Sequence, residues 1–157
     1  MRIKLLDEIQ KAEGYRRDPY KDPEGFITGG FGHFLTPEDL DDFNPDWTND
    51  QKDTYWALRF AEDIYTAVVD VSILSKNFIF KPTRECEEVL IEMMFNIGLT
   101  KLCKFTGMFD AISKGDYEAA ANEMIDSKWH RDFVRWNGGK DTPNIRSRRL
   151  ERKMRGS

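Results

Sequence analysis

A chain of 157 residues with 39% hydrophobic and 33% charged side chains has the size and balance of a water-soluble globular domain. No apolar run approaches the roughly 18 residues of a transmembrane helix, and two cysteines, Cys86 and Cys103, are too few for a disulfide framework. The net charge of −4 conceals a division, because the residues from Asn144 onward carry +5 and leave −9 on the rest.

Leu5, Leu6 and Ile9 recur at helical spacing, which predicts an amphipathic helix over 3–13 ended by Gly14 in the C′ position. Asp7 and Glu8 fall where a signal peptide needs its apolar core, so no export signal is expected. In the Gly- and aromatic-rich stretch that follows, Asp22-Pro23-Glu24-Gly25 suits a type I turn. Segments 17–20 and 26–31 then form a hairpin, joined by one further short strand. Thr36 caps a brief helix with Pro37 at its first position. Thr48 and Gln51 form a capping box that opens a long helix through Trp56, Phe60, Ile64 and Val68.

Beyond Ser75 the pattern is helical. Cys86, Val89, Leu90, Met93, Met94 and Ile97 mark a helix over 83–97 that stops at Gly98, with Cys86 as a buried reduced thiol. Asp116 caps the next helix, and Thr142-Pro143 opens a basic final one. The fold class is α+β, mostly α. A small β-containing lobe (15–47) is followed by a linking helix (48–75) and a larger helical lobe (76–157), on which the first helix (1–14) packs.

Glu13 falls on the apolar arc of the first helix, between Leu6 and Ile9, and in its last turn. Burial and the negative end of the helix dipole both push such a carboxyl's pKa up, which suits a general acid. The other reading is that Glu13 pairs with a buried arginine. Asp22, at the head of a tight turn, is expected to be hydrated and ionised, and alone it reads as a turn former. Thr28 alone is an ordinary strand threonine. Two carboxyls in opposed environments fit the acid and base of glycoside hydrolysis.

Glu13-Gly14, Tyr20-Lys21-Asp22 and Thr28-Gly29-Gly30-Phe31-Gly32-His33 together resemble the motif set of the phage-type lysozymes, glycoside hydrolase family 24. Looser similarity continues through Phe95-Asn96-Ile97-Gly98, Ser127-Lys128-Trp129 and Thr142-Pro143-Asn144. The resemblance implies hydrolysis of the β-1,4 bond between N-acetylmuramic acid and N-acetylglucosamine in bacterial peptidoglycan, with inversion. It makes Glu13 the general acid, Asp22 the base or electrostatic partner, and Thr28 the seat of the attacking water. Phe34, Phe95, Met108 and Asn122 match positions that line the saccharide cleft. Arg146 matches the arginine that pairs with the catalytic Glu, with Arg149 in support, and His33 is a structural partner of Asp63.

Three departures stand out. The segment between His33 and Thr48 is shorter than in the family's best-known member, Met108 replaces a small polar residue, and Gly30 doubles a glycine and is expected to loosen the strand carrying Thr28. Arg148, Arg152 and Arg155 are expected to be solvated, and His130 to lie at the surface. No metal or organic cofactor is implied. The expected partner is peptidoglycan, with no nucleic acid and no membrane insertion, and the protein is expected to be a monomer held in the host cytoplasm until lysis. A non-catalytic peptidoglycan-binding module on the same fold is the alternative. A nucleic-acid binder is disfavoured because the basic tail lacks interleaved aromatics.

Overall fold

Local signals decide where most elements begin and end. In the computed structural model, which describes residues 2–157, α1 (Ile3–Glu13) stops where Gly14 takes a left-handed φ of 73°. Thr36 and Asp39 bond each other's backbone amides at the start of α2 (Pro37–Asp42). Thr48 and Gln51 repeat the device for α3 (Asn49–Asn77). The chain divides within α3 into two units, Met1–Thr66 and Ala67–Ser157, and α1 falls in the first.

The first unit holds a three-stranded antiparallel sheet of β1 (Arg16–Lys21), β2 (Ile27–Gly30) and β3 (His33–Phe34), with β2 central. Pro19 has no N–H to donate, and it is tolerated in β1 because this is an edge strand whose register slips between Arg16 and Tyr20. Directly paired residues share a face of a sheet. Thr28 pairs with both Tyr20 and Phe34, so these three stand on one face. Ile27, Gly29 and His33 occupy the other, which covers a core of Leu35, Phe43 and Trp56 with Ile27, Trp47 and Tyr55 packed against it. The Trp56 indole N–H donates to the Arg17 carbonyl at 2.7 Å, so the buried ring leaves no polar atom unmet.

Gly29 and Gly30 form the seat of that indole. A Cβ on either would fall 2.5 Å from a Trp56 ring carbon. The doubled glycine therefore does not loosen the strand: the missing side chains let Trp56 pack directly on β2. Gly30 also holds a left-handed φ of 57°. Gly30→Ala is thus expected to cost about 2–5 kcal/mol, from backbone strain and overpacking together. Urea denaturation measures it, and unchanged stability would show that the indole is not seated there.

In the second unit, α4 (Arg84–Leu102) buries Cys86, Val89, Leu90, Ile91, Met93 and Met94, positions that cover every side of the helix. Gly98, expected to end this helix, instead kinks it with a φ of 79°, and the helix resumes to Leu102. Burial pushes the Cys86 thiol up to about 12, and both cysteines are free. Buried residues of α5 (Thr106–Ser113), α6 (Tyr117–Ile125) and α8 (Arg146–Arg155) include Met108, Phe109, Ala120, Ala121, Met124, Leu150 and Met154. The side chains of Asp116 and Ser127 cap α6 and α7 (Lys128–Trp136). The final helix begins at Arg146 and not at Thr142-Pro143. Those residues lie in a turn, where Thr142 accepts from the Asn137 amide and the Pro143 carbonyl accepts from Arg152. Among the described residues no helix is long and apolar enough to cross a membrane.

Candidate functional site

The site residues of the first unit gather around β2. Glu13, half-buried at the end of α1, lies against the turn between β2 and β3: a Cβ on Gly32 would stand 2.8 Å from Glu13 Oε2. Gly32, at a left-handed φ of 79°, is therefore needed both for the turn and for the carboxylate beside it. Beyond its place in the motif, Gly32 had no role legible in the sequence, although a glycine closing a strand turn signals a close approach.

Asp22 heads the turn between β1 and β2. Its carbonyl accepts from the Gly25 amide, and its own amide donates to the Phe26 carbonyl. Asp22 Oδ1 accepts from the amides of Glu24 and Phe26, each at 2.9 Å. Both bonds fall on one oxygen and close the turn, which fits the turn-former reading of Asp22. Thr28, between the two carboxylates along β2, is only 5% exposed, and its Oγ1 has no hydrogen-bond partner in the protein. A buried hydroxyl without a partner is costly. Phe34 projects from the same face, 65% exposed, and stacks on Phe26 at 5.8 Å between ring centroids. Phe26 was not singled out from the sequence. The signal was its place two residues before Thr28, at the head of the segment 26–31 expected to form the return strand.

His33 points to the opposite face. Its Nδ1 meets Asp63 at 2.8 Å, as expected, and its Nε2 lies 3.4 Å from Asp39. The bond to Asp63 holds the imidazole above its usual range, with a smaller push from Asp39. A pKa raised on folding means that protonated His33 stabilises the fold. That contribution is complete below about pH 6.5 and is lost as pH rises through the raised folded value. Wild type is therefore expected to lose stability over that window and Asp63→Asn to lose less. Parallel curves of thermal midpoint against pH for the two proteins would contradict this.

The remaining predicted residues belong to the second unit. Phe95 is half-buried on α4. Asn122 is exposed on α6, where its Oδ1 accepts from Arg155 at 2.8 Å. Met108 is fully buried and offers a sugar no surface. Arg146 and Arg149 both engage Glu92, a partner the sequence did not reveal. Arg146 Nε donates to Glu92 Oε2 at 2.8 Å, Arg149 Nη1 donates to Oε1 at 3.1 Å, and Arg149 Nη2 bonds Oε2. The Glu92 side chain has no exposed surface.

Two expectations about this unit are corrected. His130 is buried, with Nδ1 2.7 Å from Ser147 Oγ and Nε2 3.2 Å from Asp141. The three side chains have the composition of a hydrolytic triad, but Ser147 is fully buried and no substrate can reach it. Their role is to tie α7 to α8. Nor are the tail arginines simply solvated. Arg148 grips Asp141 through two nitrogens and holds that carboxyl at about 2, while Arg155 bonds Glu151 and Glu118. Among the described residues no group of three or more His, Cys, Asp or Glu side chains could hold a metal ion.

A family model for phage lysozyme matches residues 10–152. The chain is also similar to the pre-baseplate central spike protein Gp5 of Enterobacteria phage T4, at 24% identity over 148 residues. That match covers 82% of this chain and 25% of the relative, so the chain spans about a quarter of the relative's length.

Proposed function

The chain belongs to the phage lysozyme family, and on that premise we propose that it hydrolyses the β-1,4 bond between N-acetylmuramic acid and N-acetylglucosamine in peptidoglycan. Glu13 protonates the leaving oxygen, while Asp22 and Thr28 position and activate the attacking water. The observation that carries this reading is the orphaned Thr28 hydroxyl. A buried hydroxyl on the same strand as the candidate acid and base is unmet by the protein, and a water held there satisfies it.

The carboxylates support a single displacement. Asp22 precedes the start of β2 and Glu13 lies by the turn after its end, and a strand of four residues spans about 10 Å. Attack by a water needs the wider of the two carboxyl separations used by glycosidases, whereas a covalent intermediate needs about 5 Å. Inversion is the outcome this favours. Phe34 and its stacking partner Phe26 give the same face an apolar surface for a pyranose ring.

Product analysis tests the proposal. Digestion of purified peptidoglycan is expected to create new reducing ends on N-acetylmuramic acid, initially of inverted anomeric configuration. New ends on N-acetylglucosamine, or cleavage of the stem peptides, would overturn it. Lysis of a bacterial host is the role we assign. The similarity to a central spike protein favours a second setting for the same chemistry, within the phage particle, which mass spectrometry of purified particles would decide.

A further inference from the structure

The ion pairs of α8 change where this acidic protein can meet a polyanion. The tail supplied the positive charge in the sequence, but its arginines are largely engaged: Arg146 and Arg149 by Glu92, Arg148 by Asp141, Arg155 by Glu118 and Glu151. Exposed basic charge is concentrated on α7 and the turn after it. Residues 128–140 hold Lys128, Arg131, Arg135 and Lys140 against one acid, Asp132, a net +3 that leaves −7 on the rest of the chain. The hydrogen bond from Lys128 holds the Asp132 carboxyl below its usual range, and the charges of Arg135 and Lys101 add to it, so Lys101 borders the same surface.

Aromatic rings run through this surface. Phe105, Trp129, Phe133 and Trp136 form a row of edge-to-face contacts with centroids 6.4, 5.5 and 5.4 Å apart. Trp129, Phe133 and Trp136 share one face of α7 by helical spacing. The row is fixed at Trp129, a buried ring that donates its indole N–H to Asn96 at 2.9 Å. It ends in solvent at Trp136, which is 67% exposed with the Arg135 guanidinium over its ring at 5.9 Å. Gly138 and Gly139 turn the chain back at this point, with the Gly139 amide bonded to the Val134 carbonyl and the Lys140 amide to the Asn137 carbonyl. Lys128 and Arg135 share the single carboxylate of Asp132, at 2.8 and 3.2 Å, so the segment keeps its excess of positive charge. A large indole kept in water on a rigid base, beside that excess, is suited to a ligand that offers apolar faces and negative charge together.

We infer that the Trp136 end of α7 is an accessory anchoring surface for the peptidoglycan strand, outside the unit that carries Glu13, Asp22 and Thr28. Sugar rings lie on the indole, and stem-peptide carboxylates meet Arg131, Arg135 and Lys140. Charge complementarity selects this occupant, because the rest of the chain repels a polyanion and this segment attracts one. The inference rests on the peptidoglycan reading given above.

Co-sedimentation with purified sacculi tests it, using the full chain carrying Glu13→Gln to limit digestion. Adding Trp136→Ala is expected to raise the half-saturating concentration about fivefold, and Trp136→Phe to restore most of the loss. Joint replacement of Arg131, Arg135 and Lys140 by Gln is expected to weaken binding and reduce its salt dependence. With Glu13 intact, Trp136→Ala is expected to cleave short soluble glycans without stem peptides at the wild-type rate and to keep the wild-type thermal midpoint. Equal sedimentation with and without Trp136→Ala, while the wild type digests peptidoglycan, overturns this inference alone. A wild type that neither binds nor digests peptidoglycan overturns the proposed function as well. Tighter binding to duplex DNA than to sacculi at the same salt concentration assigns the surface to nucleic acid instead.

Discussion

Alanine at Glu92 is expected to lower the free energy of unfolding by about 3–5 kcal/mol, near the upper end for a single substitution. Glu92 has no exposed surface, and its two oxygens receive Arg146 and Arg149, whose side chains are 8% and 30% exposed. Removing the carboxylate takes away the counter-charge that Glu92 supplies to both guanidinium groups, one of them nearly buried, and it also opens a cavity. Glu92→Gln keeps the volume and an acceptor oxygen, so it is expected to cost less than alanine while remaining destabilising. Replacing Glu92, Arg146 and Arg149 together by Met is expected to recover most of the loss, because uncharged side chains of similar volume need no counter-ion. Urea denaturation of the three variants measures all of this. A loss below about 1 kcal/mol for Glu92→Ala would show the network to be as weak as a surface ion pair.

Glu92 also shows why part of this fold could not be read from the sequence. In Arg84-Glu-Cys-Glu-Glu-Val-Leu-Ile-Glu-Met-Met94 it is one acid among several, and its partners lie 54 and 57 positions away. Helical periodicity reports a buried residue only when the helix has an exposed face for contrast, and α4 is buried on every side. The stop of α1 at Gly14, the Asp22–Gly25 turn and the caps from Thr36, Thr48 and Asp116 were legible because each depends on residues within four positions of one another. Thr142-Pro143 failed as a helix start for the complementary reason. Its local chemistry suits a cap, but the long-range bond from Arg152 to the Pro143 carbonyl accompanies a turn there.

The site divides along the same line. Glu13 could be argued from its helix alone, since a carboxylate on an apolar arc needs a reason to be there. Asp22 and Thr28 looked ordinary, and only their spacing relative to Glu13 distinguished them. What no one-dimensional pattern contains is the role of β2 itself. Gly29 and Gly30 are bare so that Trp56 can lie under the strand, and Gly32 is bare so that the Glu13 carboxylate can lie at its end. A repeated glycine reads as flexibility in a sequence, but here it marks three close approaches.

Those approaches make Gly32 a second handle on the acid, and they shape the largest functional effect expected. Glu13→Gln keeps the size of the side chain but has no proton to deliver, so hydrolysis of purified peptidoglycan is expected to fall about a thousandfold. Substrate binding is expected to change little, so the loss falls on kcat. Gly32→Ala keeps the carboxyl group and displaces it, because the new Cβ would stand 2.8 Å from Oε2. A displacement on the order of 1 Å at a reacting group costs about a hundredfold. Gly32→Ala is therefore expected to leave measurable activity where Glu13→Gln leaves almost none, and to add nothing further when combined with it. Initial rates on the same peptidoglycan, with thermal midpoints recorded for each variant, check both. If Glu13→Gln keeps more than about a tenth of the rate, the proton comes from another group. If the double variant is far slower than Glu13→Gln alone, Gly32 acts on catalysis by a route other than the position of Glu13.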